Sequence, residues 1–252
     1  MSTAVINSAI EHERGLVGQT VVVIGGSAGI GLETARRARA AGAKVILTAR
    51  EPGRLKHAST EIDATSTDAF DATDPAAIER FFRDLPTIDH VMVTAGRPYY
   101  GRLMDMDFTK VRDLISEHLA QALFVARNAS QKVRPEGTLT FMGGTGGRRP
   151  AIGMSIAGAV TAAMPMLTAN LAVEIAPIRV NLIAAGFVDT PLSAELLGDQ
   201  LEARRDHLRN TLPIRRVVGP ADVAALAVHI MTNTALTGAT YDIDGGQQFV
   251  AT

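Results

Sequence analysis

Residues 21–31 read Val-Val-Val-Ile-Gly-Gly-Ser-Ala-Gly-Ile-Gly, and no other stretch of the chain narrows its fold as far. Four β-branched residues without polar alternation predict a strand that is apolar on both faces, as a central strand of a parallel sheet must be. Glycines follow at Gly25, Gly29 and Gly31, where a backbone without Cβ makes a tight turn and admits a phosphate to the main chain. Leu32 to Ala41 then supplies helix formers. The free N–H groups and dipole at such a helix start favour an anion. The stretch therefore predicts a pyrophosphate cradle between a first strand and a first helix.

Two other readings share these letters. Gly25-Gly26-Ser27-Ala28-Gly29 fits the G-x-S-x-G elbow of serine hydrolases, and any glycine-rich turn can be purely structural. Little chain precedes Ser27, which leaves no room for the earlier strands that carry a hydrolase oxyanion hole.

Length and composition bound the rest. The chain has 252 residues, 46% of them hydrophobic, enough for one large α/β domain. A net charge of −1 with no basic block argues against nucleic acid. The absence of cysteine removes disulfides, thiolate nucleophiles and cysteine metal sites, and the six histidines show no metal-ligand spacing. No apolar run reads as long and uninterrupted enough to span a bilayer. Residues 1–15 carry Glu11, Glu13 and Arg14 instead of a basic start and an apolar core, so a secretory signal is not expected and a soluble cytoplasmic protein is the default.

In order, the patterns predict an extension over residues 1–17 and a single domain over 18–252. Strands are expected at Thr20–Ile24, Lys44–Thr48, Thr67–Phe70, Ile88–Val93, Gly137–Met142, Ile178–Ile183 and Thr240–Ile243. Helices are expected at Ile30–Ala41, from Pro52, from Pro75, at Phe108–Val133, at Met154–Ile175 with a kink at Pro165, and at Asp222–Met231. Thr190–Arg216 is charged and mostly helical, the natural candidate for a mobile lid. Strands alternating with helices imply a doubly wound parallel sheet of the Rossmann type.

From Leu16 to Gly246 the chain resembles the short-chain dehydrogenase/reductase family. The glycine loop resembles its T-G-x-x-x-G-x-G turn, with Ile24 for the threonine. Asp71 and Ala72 stand where the family contacts adenine, and Thr94-Ala95-Gly96 where it has Asn-Asn-Ala-Gly or similar. Arg179-Val180-Asn181 and Ala185-Gly186-Phe187-Val188-Asp189-Thr190 resemble R-V-N and P-G-x-x-x-T, with Ala185 for proline. Asp242-Ile243-Asp244-Gly245-Gly246 resembles the family's V-D-G-G ending. The resemblance implies seven strands in the order 3-2-1-4-5-6-7, a homo-oligomer, often a tetramer, and a dinucleotide. That dinucleotide would lie on Gly25, Ser27, Ala28, Gly29, Ile30, Gly31, Arg50, Asp71, Ala72, Ala95, Gly96, Gly186, Val188 and Thr190.

Cofactor choice follows from charge. A carboxylate at the end of strand two would hold the NAD ribose and repel a 2′-phosphate, but this strand ends Thr48-Ala49-Arg50. Arg50 offers a forked cation, and Arg54 a second one turn later, so NADP(H) is expected over NAD(H).

The family's chemistry uses a tyrosine acid, a lysine four residues later, a serine on strand five and an asparagine on helix four. The matching positions hold Met154, Gly158, Gly144 and His118. No shift of register restores them: tyrosine occurs only at Tyr99, Tyr100 and Tyr241, and Lys132 is the last lysine. Ketone reduction is therefore expected to be weak, since a positioned acid is typically worth about 10²–10⁴-fold. Candidate replacements are His118, Thr145 and Tyr99, each with a bland alternative: a structural histidine, a turn residue, a pocket wall. Arg148 and Arg149 are expected either to clamp an anion or to sit in solvent. The implied function is an NADP(H)-dependent oxidoreductase acting on a small molecule that needs little proton assistance, or a non-catalytic NADP(H)-binding protein.

Overall fold

Strand β1 (Thr20–Ile24) sends alternate side chains into two separate cores, as the pleat requires. Val22 and Ile24 enter one, Val21 and Val23 the other, and all four are fully buried. The computed structural model of the chain describes residues 15–250, apart from the side chains of residues 110 and 112–117. Seven strands form one parallel sheet in the order β3-β2-β1-β4-β5-β6-β7. The remaining strands are β2 (Lys44–Ala49), β3 (Ser66–Ala69), β4 (Ile88–Val93), β5 (Val133–Gly144), β6 (Arg179–Ala185) and β7 (Thr240–Ile243).

Helices cover both faces. α1 (Gly29–Ala40), α2 (Pro52–Ile62) and α8 (Pro220–Thr232) bury Ala35, Ala38, Leu55, Val223 and Ile230 against one. α3 (Pro75–Asp84), α4 (Phe108–Ala129) and α5 (Ser155–Glu174) bury Phe82, Val125, Met164 and Leu171 against the other. The segment Thr190–Arg216 folds as α6 (Pro191–Leu197) and α7 (Leu201–Thr211), helical as its composition suggests. Packing takes in Leu16, which is fully buried and donates its amide to Ala41 O at 2.9 Å, two residues ahead of the boundary expected at 18.

Three expectations need correction. The helix expected to reach Val133 stops at Ala129, and Val133 opens β5 opposite Ile88. A register irregularity then spans Arg134 to Gly137, with Glu136 at φ 67°, before Thr138 pairs with His90. The strand expected from Gly137 thus starts four residues earlier, through a distortion at Arg134-Pro135-Glu136-Gly137. Strand β3 forms within one residue of its expected place, exposed along its length and held by pairing with β2. Finally, α5 is by length and composition long and apolar enough to cross a membrane, although no run was expected to qualify. Its apolarity comes from alanine, methionine and leucine, and it runs through Pro165 as a flank of the sheet.

The amino-terminal edge of the sheet is pinned by polar groups. Asp89 accepts the Thr20 amide at 2.7 Å and pairs with Arg134 at 3.1 Å. His90 bonds Thr138 Oγ1 at 2.9 Å through Nδ1 and Gln19 Oε1 at 2.5 Å through Nε2. Burial, aided by Arg179 and Arg134, pushes the His90 imidazole down to about 3. Arg179 itself is buried, and its guanidinium donates to the carbonyls of Glu136, Ile230, Met231, Asn233 and Leu236 at 2.8–3.1 Å. It thereby closes the carboxyl end of α8, where carbonyls lack helical partners.

Candidate active site

All the strands run parallel, so every loop that follows a strand gathers at one edge, the usual place for a ligand in an open α/β sheet. The glycine loop is built there without side chains. A Cβ at Gly31 would overlap the Gly25 carbonyl oxygen and come within 2.5 Å of Thr94 Oγ1. Thr94 Oγ1 in turn bonds Ile24 O and Gly25 O at 3.2 and 3.0 Å, and the amides of Gly25 and Gly26 both reach Thr48 O. Ala28, the residue before α1, offers no side-chain cap, so the first-turn amides of Gly29, Ile30 and Gly31 are not taken up by one. Ser27 lies within this turn.

The end of β2 carries the charge expected there. Arg50 lies 3.9 Å from Asp71, and both are exposed. Asp71 is fixed by the Thr73 amide and hydroxyl, at 2.9 and 2.8 Å. The next carboxylate, Glu51, is committed to α2: it accepts the amides of Arg54 and Gly53, which hold it below the usual carboxylate range. Arg54 stands 4.0 Å from it. The Ala72 carbonyl is held by buried Gln121 of α4 at 3.1 Å, a contact that sequence reading missed and that no local pattern signals.

On the other flank, Thr190 caps α6 by accepting the Ser193 amide at 3.2 Å, and its side chain lies 3.5 Å from the place a Cβ would take at Gly29. The start of α6 and the glycine loop thus face each other. Val188 bridges to Val218, Arg205 of α7 bonds Asp189 at 2.7 Å, and Gly186 packs on Asp244 and Gln247. Arg97, directly after Gly96, donates to Glu195 of α6 at 2.8 Å, joining the β4 loop to that helix.

The positions linked by resemblance to proton transfer come together at the start of α5. Gly144 ends β5 beside Ala185, and buried Thr145 follows. Met154 precedes α5, and its carbonyl accepts the Gly158 amide at 2.6 Å. The glycine turn lies directly on this helix: a Cβ at Gly147 would sit 2.7 Å from Ala162 N and 3.0 Å from Gly158 O. A hollow of about 350 Å³ opens here, lined by Gly146, Arg149, Met154 and Gly158 among others. His118 approaches from α4, its Nε2 3.6 Å from the Cβ position of Gly96. Tyr99 packs on Gly101, whose amide bonds Gly153 O at 3.0 Å, so the β4 and β5 loops are cross-linked.

Arg148 is exposed and Arg149 half-buried, and both line the hollow at the start of α5. Arg148 pairs with Asp242, and Arg149 donates to the carbonyls of Gln248 and Val250, so both tie down the C-terminal segment. Among the described residues no cluster could hold a metal ion. A second hollow, of about 490 Å³, is lined by Arg37, Arg216, Asp242 and Gly246 among others and by none of the candidate residues.

A family model described as "Enoyl-(Acyl carrier protein) reductase" matches residues 24–248. Relatives include the short-chain dehydrogenase/reductase ATR9 of Stachybotrys chlorohalonatus, 28% identical, covering 91% of this chain and 96% of that one. Another is the 3-oxoacyl-[acyl-carrier-protein] reductase MabA of Mycobacterium tuberculosis, 29% identical over 91% of this chain and 93% of its own. Among solved structures, BdcA in complex with NADPH superposes with a TM-score of 0.83 at 26% identity, covering 92% of this chain and 95% of that one.

Proposed function

This chain belongs to the short-chain dehydrogenase/reductase family, and on that premise we propose that it is an NADP(H)-dependent oxidoreductase whose substrate needs little proton assistance. The carrying observation is a glycine turn with no room for side chains ahead of an uncapped α1, together with Met154 and Gly158, one helical turn apart where proton transfer would be arranged.

The residues present fit the cofactor. The Gly25–Gly31 turn, which side chains would fill, and the uncapped start of α1 suit a pyrophosphate. Arg50 would take the 2′-phosphate, with Glu51 already drawn away into its helix cap. Asp71 and Ala72 would flank the adenine, and Ala95, Gly96, Gly186, Val188 and Thr190 the nicotinamide end. When bound, NADPH supplies a hydride. NADPH-bound relatives of the same fold support that assignment.

Reduction of a ketone leaves an alkoxide that must gain a proton, and Gly144, Met154 and Gly158 have none to give. An iminium carbon becomes a neutral amine with no proton at all, and a quinone or polarised enone spreads the incoming charge. Positioning of reactants alone still accelerates such a step substantially. The test is to mix the protein with NADPH and a matched panel of ketones, imines and quinones and follow the NADPH absorbance. Turnover confined to the undemanding acceptors supports the reading.

The direct seating of Gly147 on α5 favours a second reading, a non-catalytic NADP(H)-binding sensor or partner subunit, because it narrows the space where a substrate would react. Tight NADPH binding with no turnover on any acceptor would select it. In either case we propose a homotetramer: Met166 and Val173 on α5 and Leu123 on α4 are exposed apolar residues on helices with small-residue faces.

A further inference from the structure

The loop after β4 is apolar on the side it turns to solvent. Tyr100, Leu103, Met104 and Phe108 are all exposed, Met104 by 91%, while Met106 between them is buried in the protein. The segment is thus anchored by one methionine and leaves four large apolar side chains unburied. Ile152, 83% exposed, belongs to the β5 loop, which the Gly101–Gly153 hydrogen bond holds against this one. Leu196 extends the set onto α6, next to Glu195, the partner of Arg97. Three segments that follow β4, β5 and β6 at the same sheet edge, linked by two cross-contacts, therefore carry six exposed large apolar residues at the edge that holds the candidate site. Apolar surface of this kind is kept exposed where something covers it.

We infer that the substrate is a bulky apolar small molecule whose hydrocarbon body lies on Tyr100, Leu103, Met104, Phe108, Ile152 and Leu196 while its electrophilic carbon reaches inward. Continuity with the glycine loop selects a substrate as the occupant: Gly96, at the base of the same β4 loop, lies against His118 of α4, whose Nε2 is 3.6 Å from its Cβ position. The inference rests on the proposed oxidoreductase reading and deepens it by naming the substrate class.

The test uses the NADPH-loaded protein and a series of N-alkyl dihydroisoquinolinium ions from methyl to octyl. Each added methylene that finds this surface should raise kcat/KM about three- to fourfold. In Leu103→Gln/Met104→Gln the dependence on chain length should flatten, with KM for the octyl compound rising about tenfold or more. Val17→Gln, at an exposed apolar residue ahead of β1, should keep the parental slope. Displacement of Nile red by the same compounds reads occupancy without chemistry. If no acceptor turns over, the redox reading fails, yet chain-length-dependent displacement that is lost in the double variant still supports the apolar mouth. Affinity independent of chain length in the parent overturns the inference. So does a change of sedimentation in the double variant, which would make the patch a contact between copies.

Discussion

The terminal methyl of Met154 rests against Gly146, at 2.6 Å from the place where a Cβ on that glycine would stand. A thioether that fills the glycine turn cannot exchange a proton. Simple ketones should therefore turn over negligibly with NADPH saturating. Gly158 has open room, since a Cβ there would meet only Gly146 O at 3.6 Å. Met154→Tyr/Gly158→Lys should accordingly raise ketone reduction by roughly 10²-fold or more, within the range for a positioned acid. Adding Gly144→Ser should give less than its full effect, because Thr161 Cγ2 is 3.2 Å from the new Cβ. Ketone turnover in the unmodified protein near 10 per second, an ordinary enzyme rate, would disprove the reading.

Arg50 is exposed, with the Asp71 carboxylate at 3.9 Å. NADPH should bind about ten- to a hundredfold more tightly than NADH, the worth of a charge-assisted contact of about 1.5–3 kcal/mol. Arg50→Ala should erase that difference by weakening NADPH alone. Fluorescence titration with both cofactors checks it, and equal affinities in the parent would count against Arg50 as the phosphate ligand.

His90 stays neutral in the folded protein down to about pH 3, whereas in the unfolded chain an imidazole takes a proton near 6.5. The unfolded state thus binds more protons between those values. The stability His90 contributes is complete above about pH 6.5 and falls with pH below it, by up to about 1.4 kcal/mol per unit. Urea melts from pH 7 to pH 5 should show this slope, before most carboxylates titrate, and His90→Gln should reduce it.

Removing the Arg179 guanidinium leaves five carbonyls short of a donor, several of them at the end of α8. Arg179→Met should cost more than about 3 kcal/mol in a denaturant melt. Arg179→Lys should recover only part of it, because an ammonium lacks the fork that spans these acceptors.

The strands were legible wherever burial writes itself into β-branched runs, as in Val21–Ile24. Exposed β3 and the distorted start of β5 left no such signature, because pairing alone keeps them in the sheet. The glycine loop could be read because its demand is steric and local. Arg179, Gln121, Arg148 and Arg149 could not be understood from their neighbours, since their partners are carbonyls and a carboxylate brought from 43 to 101 residues away. The family motif R-V-N was recognised as a pattern, but its purpose, closing the end of α8, emerged only with the fold.

Strand polarity also works as insulation. Four residue steps of β4, roughly 13 Å at about 3.3 Å each, separate His90 from Thr94 at the glycine loop. The groups that make the protein acid-sensitive occupy one rim, and those that would meet cofactor and substrate occupy the other. A designer can therefore rewrite the reactive rim, side chain by side chain, while leaving the acid tolerance of the scaffold where it was.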